Sequence, residues 1–505
     1  MNQRKAGAIL SYVGFLINNI TGLIYTPYML RMMGQSEYGI HGTAGSMTAY
    51  LSLLTFGIGG AYLRYNAKCR ANHDVEGERR LNGIFLLVFS VLSGLVVLLG
   101  GGMVLFAKVL VGNEFTATEL SRLQIVMILG VVSMVITFML TAIHMCLQAY
   151  ERYFYIRVVH LIAGIATPII NVVALMLGGR AVALSVCSLV LSIFCEIAYI
   201  IYAVKVLGFK MSFKGIKFEY VKDIFIFSSF LFMDSITDQI THSTDNIVLA
   251  AFDGPTAVAI YTVGAHFRGY FLNFSTSISS VFAPQIHGIV AKTQGKDNRP
   301  LNEIFIRVGR IQFYVLSLVL IGFLSIGRDF IRIWAGPDYT SAYTIGWMLM
   351  VAIYVPLFQN VGLDIQKAKN MHKARSIVYL IIAIANVAAT IPLTKMWGGV
   401  GAALATMICM LLGNALFMNW YYATHIGLDI LGFWKSIARI LPGFVAPCAL
   451  GFVFNRFWRL NSYLDILLAA GAITVVYCAS IWLFSMNKYE KNLVSSPVKK
   501  LLRRR

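Results

Sequence analysis

Apolar residues in this chain gather in long runs, separated by short polar segments. A helix crossing membrane hydrocarbon needs ~20 mostly apolar residues. About fourteen runs meet that length: 7–30, 38–63, 82–107, 123–147, 156–177, 181–204, 223–251, 256–288, 303–326, 343–364, 375–396, 399–423, 436–457 and 463–486. They are too long and too poor in charge for the strands of a membrane barrel, which alternate in ~10-residue units. The pattern predicts an all-α integral membrane protein with about fourteen transmembrane helices.

The polar segments recur in the same order. Residues 148–157 are echoed by 366–375, Asn171-Val172-Val173-Ala174 by Asn386-Val387-Ala388-Ala389, and Gly178-Gly179 with Ala183-Leu184 by Gly398-Gly399 with Ala403-Leu404. Gly112 and Phe115 have counterparts in Gly336 and Tyr339. The matched pieces lie about 220 residues apart. An even number of spans per copy sets both copies the same way up, a parallel repeat of the kind that brackets a midplane substrate site in transporters. The expected organisation is a first six-helix lobe over 1–204, a basic cytoplasmic linker over 205–222 and a second lobe over 223–424. Helices thirteen and fourteen and a basic tail fill 425–505.

Composition agrees, with 58% hydrophobic residues in 505. The net charge of +20 suggests nucleic acid until its placement is considered. Of the 42 Lys and Arg, 32 fall in alternate loops and the tail, and 9 in the loops of the other side. That asymmetry places both termini in the cytoplasm and assigns the basic excess to topology and anionic lipid contact. No nucleic-acid partner is expected. The first apolar run is of full span length without a small-residue cleavage site, and reads as the first helix. The seven cysteines show no paired spacing and read as packing residues. There is no phosphate-binding glycine loop, so any energy comes from an ion gradient, the membrane potential, substrate flow or a separate partner.

Arg268 is the sharpest single residue, set near the middle of the eighth span. Arg at a helix centre costs ~2.5–3.5 kcal/mol by insertion scales, and such residues face a cavity or a partner. Tyr261, Thr262, His266 and Asn273 make its helix polar. Arg268 either grips an anionic group such as a diphosphate through its planar fork or closes a structural ion pair. The partner for such a pair is on helix seven, where Asp234, Asp238 and Asp245 share one face with Thr241. Taking the turn near Asp253 as pivot, Asp238 and Arg268 lie at equal depth. The acidic face is alternatively a site for a coupling H⁺ or Na⁺. Asn18 and Tyr25 of helix one, with Tyr261 and Asn273, are candidate polar cavity groups, and Arg64 at the end of helix two is a candidate second phosphate contact. Glu196 reads as a snorkelling or capping group, and His144 and His160 as packing histidines. No nucleophile–base constellation and no metal or cofactor motif appears, so a non-enzymatic role without cofactors is expected.

Several local motifs carry a family resemblance. Arg31-Met32-Met33-Gly34 with Glu37-Tyr38-Gly39 follows helix one, and Phe56-Gly57-Ile58-Gly59 with Ala61 and Arg64 closes helix two. Asp245-Asn246-Ile247-Val248-Leu249 leads to Val258 and Tyr261, and Gly398-Gly399-Val400-Gly401-Ala402-Ala403 opens helix twelve. In order and spacing these motifs resemble the bacterial polysaccharide flippases of the Wzx type, within the MATE-like multidrug/oligosaccharidyl-lipid/polysaccharide exporter superfamily. The resemblance implies a V-shaped pair of six-helix lobes around a central cavity. It implies transfer of undecaprenyl-diphosphate-linked oligosaccharide units across the bacterial cytoplasmic (inner) membrane by alternating access, for O-antigen-like (lipopolysaccharide) or capsule-like surface polysaccharide. Membrane lipids and a polysaccharide polymerase are the implied partners. Related lipid II flippases carry an arginine on helix eight, as Arg268 is placed, and use the last two helices as a groove for the lipid tail. They also place charges in helix one, where this chain has Asn18-Asn19. That departure favours a surface-polysaccharide unit over lipid II. A cation-coupled drug antiporter of the same superfamily, working through the aspartates, and a scaffold for glycan-assembly enzymes are the alternatives.

Overall fold

The computed structural model describes residues 3–56, 58–214, 218–293, 297–369, 371 and 373–502. Among them there is no strand. In chain order the helices are α1 (Gln3–Met33), α2 (Gln35–Ala49), α3 (Gly59–Ala71), α4 (Val75–Leu105), α5 (Ala107–Val111), α6 (Ala117–Ala149), α7 (Tyr153–Met176), α8 (Ala181–Lys205), α9 (Phe218–Phe252) and α10 (Gly254–Ser279). They continue as α11 (Ala283–Thr293), α12 (Arg299–Trp334), α13 (Ala342–Phe358), α14 (Asn360–Ala368), α15 (Lys373–Leu411), α16 (Asn419–Tyr421), α17 (Ile430–Ala438), α18 (Val445–Phe457), α19 (Tyr463–Phe484) and α20 (Lys488–Leu502). Packing divides the chain into two units, one of Met1–Thr262 with Ala383–Ala402, the other of Val263–Ile382 with Ala403–Arg505.

In the first unit α4 and α2 pack on α6, α6 on α8, α1 on α7 and α2 on α9. Its core is aromatic. Tyr62 meets Phe85 edge-on at 5.0 Å and donates to Asn82 Oδ1 at 2.6 Å. Polar caps fix the helix starts: Asp74 accepts from the Gly77 amide, and Thr116 with Glu119 forms a reciprocal capping box. Glu37, 3% exposed, pairs with Arg122 of α6 and accepts from the Ala181 amide that opens α8. One carboxylate thus binds α2, α6 and α8 together. Gly39 lets α2 touch the first turn of α10, since a Cβ there would sit 1.7 Å from the Pro255 carbonyl oxygen.

In the second unit α12 is the axis, packed by α13, α18 and α19. Phe313 stacks on Phe444 at 5.5 Å, and Phe358 on Phe433 at 6.0 Å. Arg310 of α12 reaches Glu490 of α20 at 2.9 Å and the Ser436 carbonyl of α17 at 2.7 Å. Two π-helical stretches, Leu412–Met418 and Tyr422–Ile426, flank the short α16.

By length and apolarity, fewer than the fourteen expected spans are found among the described residues. Among the described residues eight helices are long and apolar enough to cross a membrane, and nine if the bent pair α13 and α14 counts as one span. Two local breaks explain part of the difference. The run 38–63 is not one helix: α2 gives way to 3₁₀ turns over Tyr50–Thr55, and Phe56 adopts a left-handed φ of 47° before α3 begins. The 52-residue run Arg375–Ile426 counts once, yet Trp397 and Gly398 depart from helical geometry within it. That kink falls between the expected spans 375–396 and 399–423. The helices α9 and α10 are rich in polar side chains, which lowers their apolarity without shortening them.

Candidate functional site

The first unit holds a buried carboxylate. Asp245, 2% exposed, lies in the last turns of α9, and α10 returns after the turn at Asp253. Tyr261 of α10 therefore comes alongside and donates its hydroxyl hydrogen bond to Asp245 Oδ2. From α15, Thr390 Oγ1 donates toward Asp245 Oδ1 at 3.4 Å and lies 3.4 Å from Asn386 Oδ1. Asn386 is 2% and Thr390 0% exposed. Asn386 and Thr390 are four residues apart, which sets them on one helical face. One turn further, Thr394 leaves its hydroxyl buried and without a partner among the described residues. On the other flank Asn246 Nδ2 donates to Ser46 Oγ at 2.8 Å, and Tyr50 bonds Thr244, tying α9 to α2 and to the 3₁₀ turns that follow it. Aspartate, amide and hydroxyl oxygens from three helices suit a small hard cation or a proton.

The second unit contains the central part of α10 with Arg268. Its neighbour Phe267 packs against Phe323 at 4.8 Å and Trp334 at 5.7 Å, and Phe271 stacks on Tyr354 at 6.0 Å. Below them Ser275 Oγ donates to the Leu357 carbonyl at 3.0 Å, and Gln312 Nε2 to the Ser275 carbonyl at 3.2 Å. Gly264 takes α10 close to Ile345. These contacts fix the helix on α12 and α13. Arg268 is 9% exposed and makes no hydrogen bond or ion pair among the described residues. A guanidinium with five donors in such surroundings is poised for an anion.

The remaining candidates are dispersed. Asp238 is exposed on α9, and the side chain of Asp234 lies outside the described residues. Asn18 lies in α1 with its side chain likewise outside them, and Tyr25 is half-buried beside Asn171. Asn273 is half-buried, its carbonyl accepting from Ser277 at 2.8 Å. Arg64 is exposed, on α3 and beyond the Phe56 break rather than at the end of one long helix. Reading the residues alone missed Thr390 as a partner of Asp245. The available signal was its i, i+4 spacing to Asn386, a residue already marked by the repeat.

Comparison with known proteins gives this arrangement a context. The model of the family described as "Polysaccharide biosynthesis protein" matches residues 5–290, more than half of the chain. An uncharacterized membrane protein, EpsK of Bacillus subtilis, is 22% identical over 506 residues, covering 95% of both chains. A probable flippase, AglR of Haloferax volcanii, is 21% identical over 430 residues, 82% of this chain and 83% of its own. Among solved structures, the lipid II flippase MurJ in an inward closed conformation superposes with TM-score 0.73 at 16% identity, covering 95% of this chain and 98% of that one. An inward-facing multidrug resistance MATE family transporter of the MOP superfamily gives TM-score 0.66 at 11% identity, over 83% and 96%. The α-helical multi-pass fold is thus the one these transporters share. The chain belongs to the polysaccharide biosynthesis protein family.

Proposed function

We propose that this protein flips a lipid-linked oligosaccharide across the bacterial cytoplasmic membrane, with both termini inside, for surface polysaccharide synthesis. The cargo is an undecaprenyl-diphosphate-linked repeat unit of O-antigen or capsule type, handed to a polymerase on the far side. The observation that carries the reading is Arg268, buried on α10 without a partner among the described residues. In hydrocarbon an arginine left unpaired is costly, and a diphosphate supplies the oxygens its fork requires. Arg64, exposed on α3 of the first unit, is a separate candidate for contact with phosphate. The glycan is assigned to polar groups that include Asn18, Tyr25 and Asn273; Tyr261, buried and committed to Asp245, is not among them.

Asp245, ringed by Tyr261 and Thr390, is the proposed seat of a coupling H⁺ or Na⁺. A bound ion biases the alternating states only to the extent that its affinity differs between them. The same carboxylate favours a second reading, a cation-coupled drug antiporter in which Asp245 binds the exchanged ion. Replacement of Arg268 separates the two in a surface-glycan complementation assay. With Arg268→Ala at wild-type protein level, polymer is lost under the flippase reading, and Arg268→Lys retains part of it. Normal polymer with Arg268→Ala rejects the diphosphate site.

A further inference from the structure

Three ionisable side chains that the sequence assigns to packing or capping come together inside the first unit. Glu196 of α8, 6% exposed, points at His144 of α6, with Oε2 and Nε2 3.1 Å apart. The approach is not aligned as a hydrogen bond, and neither atom has another partner among the described residues. The buried Tyr199 hydroxyl beside them is also unpartnered there. Its ring meets the His144 ring edge-on at 4.6 Å, and the ring of exposed His160 lies 6.4 Å from it. Reading Glu196 as a snorkelling or capping group is therefore corrected: its carboxylate is buried against His144 rather than carried to water.

All three helices are long and apolar enough to span a membrane. At 1.5 Å per residue, His144 lies about 8 Å from the Ala149 end of α6, His160 about 10 Å from the Tyr153 start of α7, and Glu196 about 14 Å from the Lys205 end of α8. The loops at those three ends lie on one face of the membrane. The cluster thus sits about two turns inside that face, with Glu196 deepest; of the two histidines, His160 is the exposed one.

We propose that His144 and Glu196 form a proton-binding site that couples proton movement to the transport cycle, separate from Asp245. Neutral His144 beside ionised Glu196 leaves one net negative charge in apolar surroundings, which is unfavourable. One proton, taken up from water by way of His160 and Tyr199, brings the pair to neutrality as imidazole and carboxylic acid. Release requires α6 and α8 to part enough for water to reach Glu196. The other titratable groups near the pair are Arg157 and Tyr155 of α7 and Cys195 of α8. From α3 and α4, packed on another face of α6, Arg70 and Glu78 address Tyr150 and Cys146 instead. His41 of α2 lines a separate cleft of about 440 Å³ among Ser and Thr side chains.

The test is infrared difference spectroscopy of the full chain in lipid bilayers, titrated with pH in the absence of substrate. The expected result is a protonated-carboxyl carbonyl band that appears on acidification and is lost in Glu196→Gln. Glu196→Asp should shift the band in frequency, and His144→Asn should move its midpoint, as for two groups that share one proton. The Asp variant and His144→Asn carry the test if the Gln variant fails to fold. A band unchanged in Glu196→Gln, or a midpoint unmoved by His144→Asn, overturns the proposal. No substrate is present, so either failure leaves the flippase reading standing.

Discussion

Asp245 and Tyr261 illustrate how a single side chain carries much of this fold's chemistry. A hydrogen bond to a charged group contributes ~1.5–3 kcal/mol, so Tyr261→Phe should lower stability by about that amount, read as a fall in Tm of the purified protein. Asp245→Asn preserves shape while removing the charge. It should abolish the dependence of transport on the ion gradient while the protein still reaches the membrane, and retention of gradient dependence would exclude Asp245 from coupling. A second residue, Glu490, gives a pH signature outside the spans. Burial raises its pKa, but hydrogen bonds from Arg310 and the Asn487 amide outweigh burial and hold it below the usual carboxylate value. A pKa depressed in the folded state adds stability above the unfolded value, ~4.3 for Glu, and that stability is lost as pH falls through the folded pKa. Hydrogen-exchange protection in α20, taken relative to the intrinsic rate at each pH, should therefore be high at neutral pH and fall in acid below the unfolded value. Glu490→Gln should make exchange fast at neutral pH and abolish the acid step.

At the scale of elements, α2 sets two glycines against each other. A Cβ on Gly39 would overlap the Pro255 carbonyl, whereas one on Gly45 meets nothing within 4 Å. Gly39→Ala should destabilise by ~1–3 kcal/mol, the usual cost of overpacking. Gly45→Ala should stabilise by ~0.5–1 kcal/mol through helix propensity. Opposite signs from one helix, read by thermal unfolding, check the packing of α2 on the first turn of α10. The glycines of the sequence repeat have a similar physical basis. Gly112 and Gly336 have φ of 65° and 114°, and Gly178 and Gly398 of 83° and 56°. Such values favour glycine, so these motifs were visible as spelling in the chain. The helical spans were legible because apolar runs of that length have few other uses. The Phe56 break was not legible, since a left-handed phenylalanine has no local signature and is imposed by tertiary contact. Asp245 was legible as a charge in a span, but Thr390 was not, because its partner lies 145 residues away. The pairing of His144 with Glu196 escaped for the same reason.

For the whole molecule, the charge asymmetry between alternate loops makes a claim about orientation. Cysteines introduced in the 205–222 linker and near either terminus should react with a membrane-impermeant thiol reagent only after the cytoplasmic face is opened. Labelling of intact cells at any of these sites would reverse the orientation. The central claim is transfer of a lipid-linked glycan, and it is tested most directly by reconstitution. The purified chain is placed in vesicles loaded on their inner leaflet with undecaprenyl-diphosphate-linked oligosaccharide, and glycan reaching the outer leaflet is read with an added glycosidase. Wild-type vesicles should expose glycan far faster than protein-free vesicles, and vesicles with Arg268→Ala should match the protein-free rate. Wild-type vesicles that expose glycan no faster than protein-free ones would contradict the account.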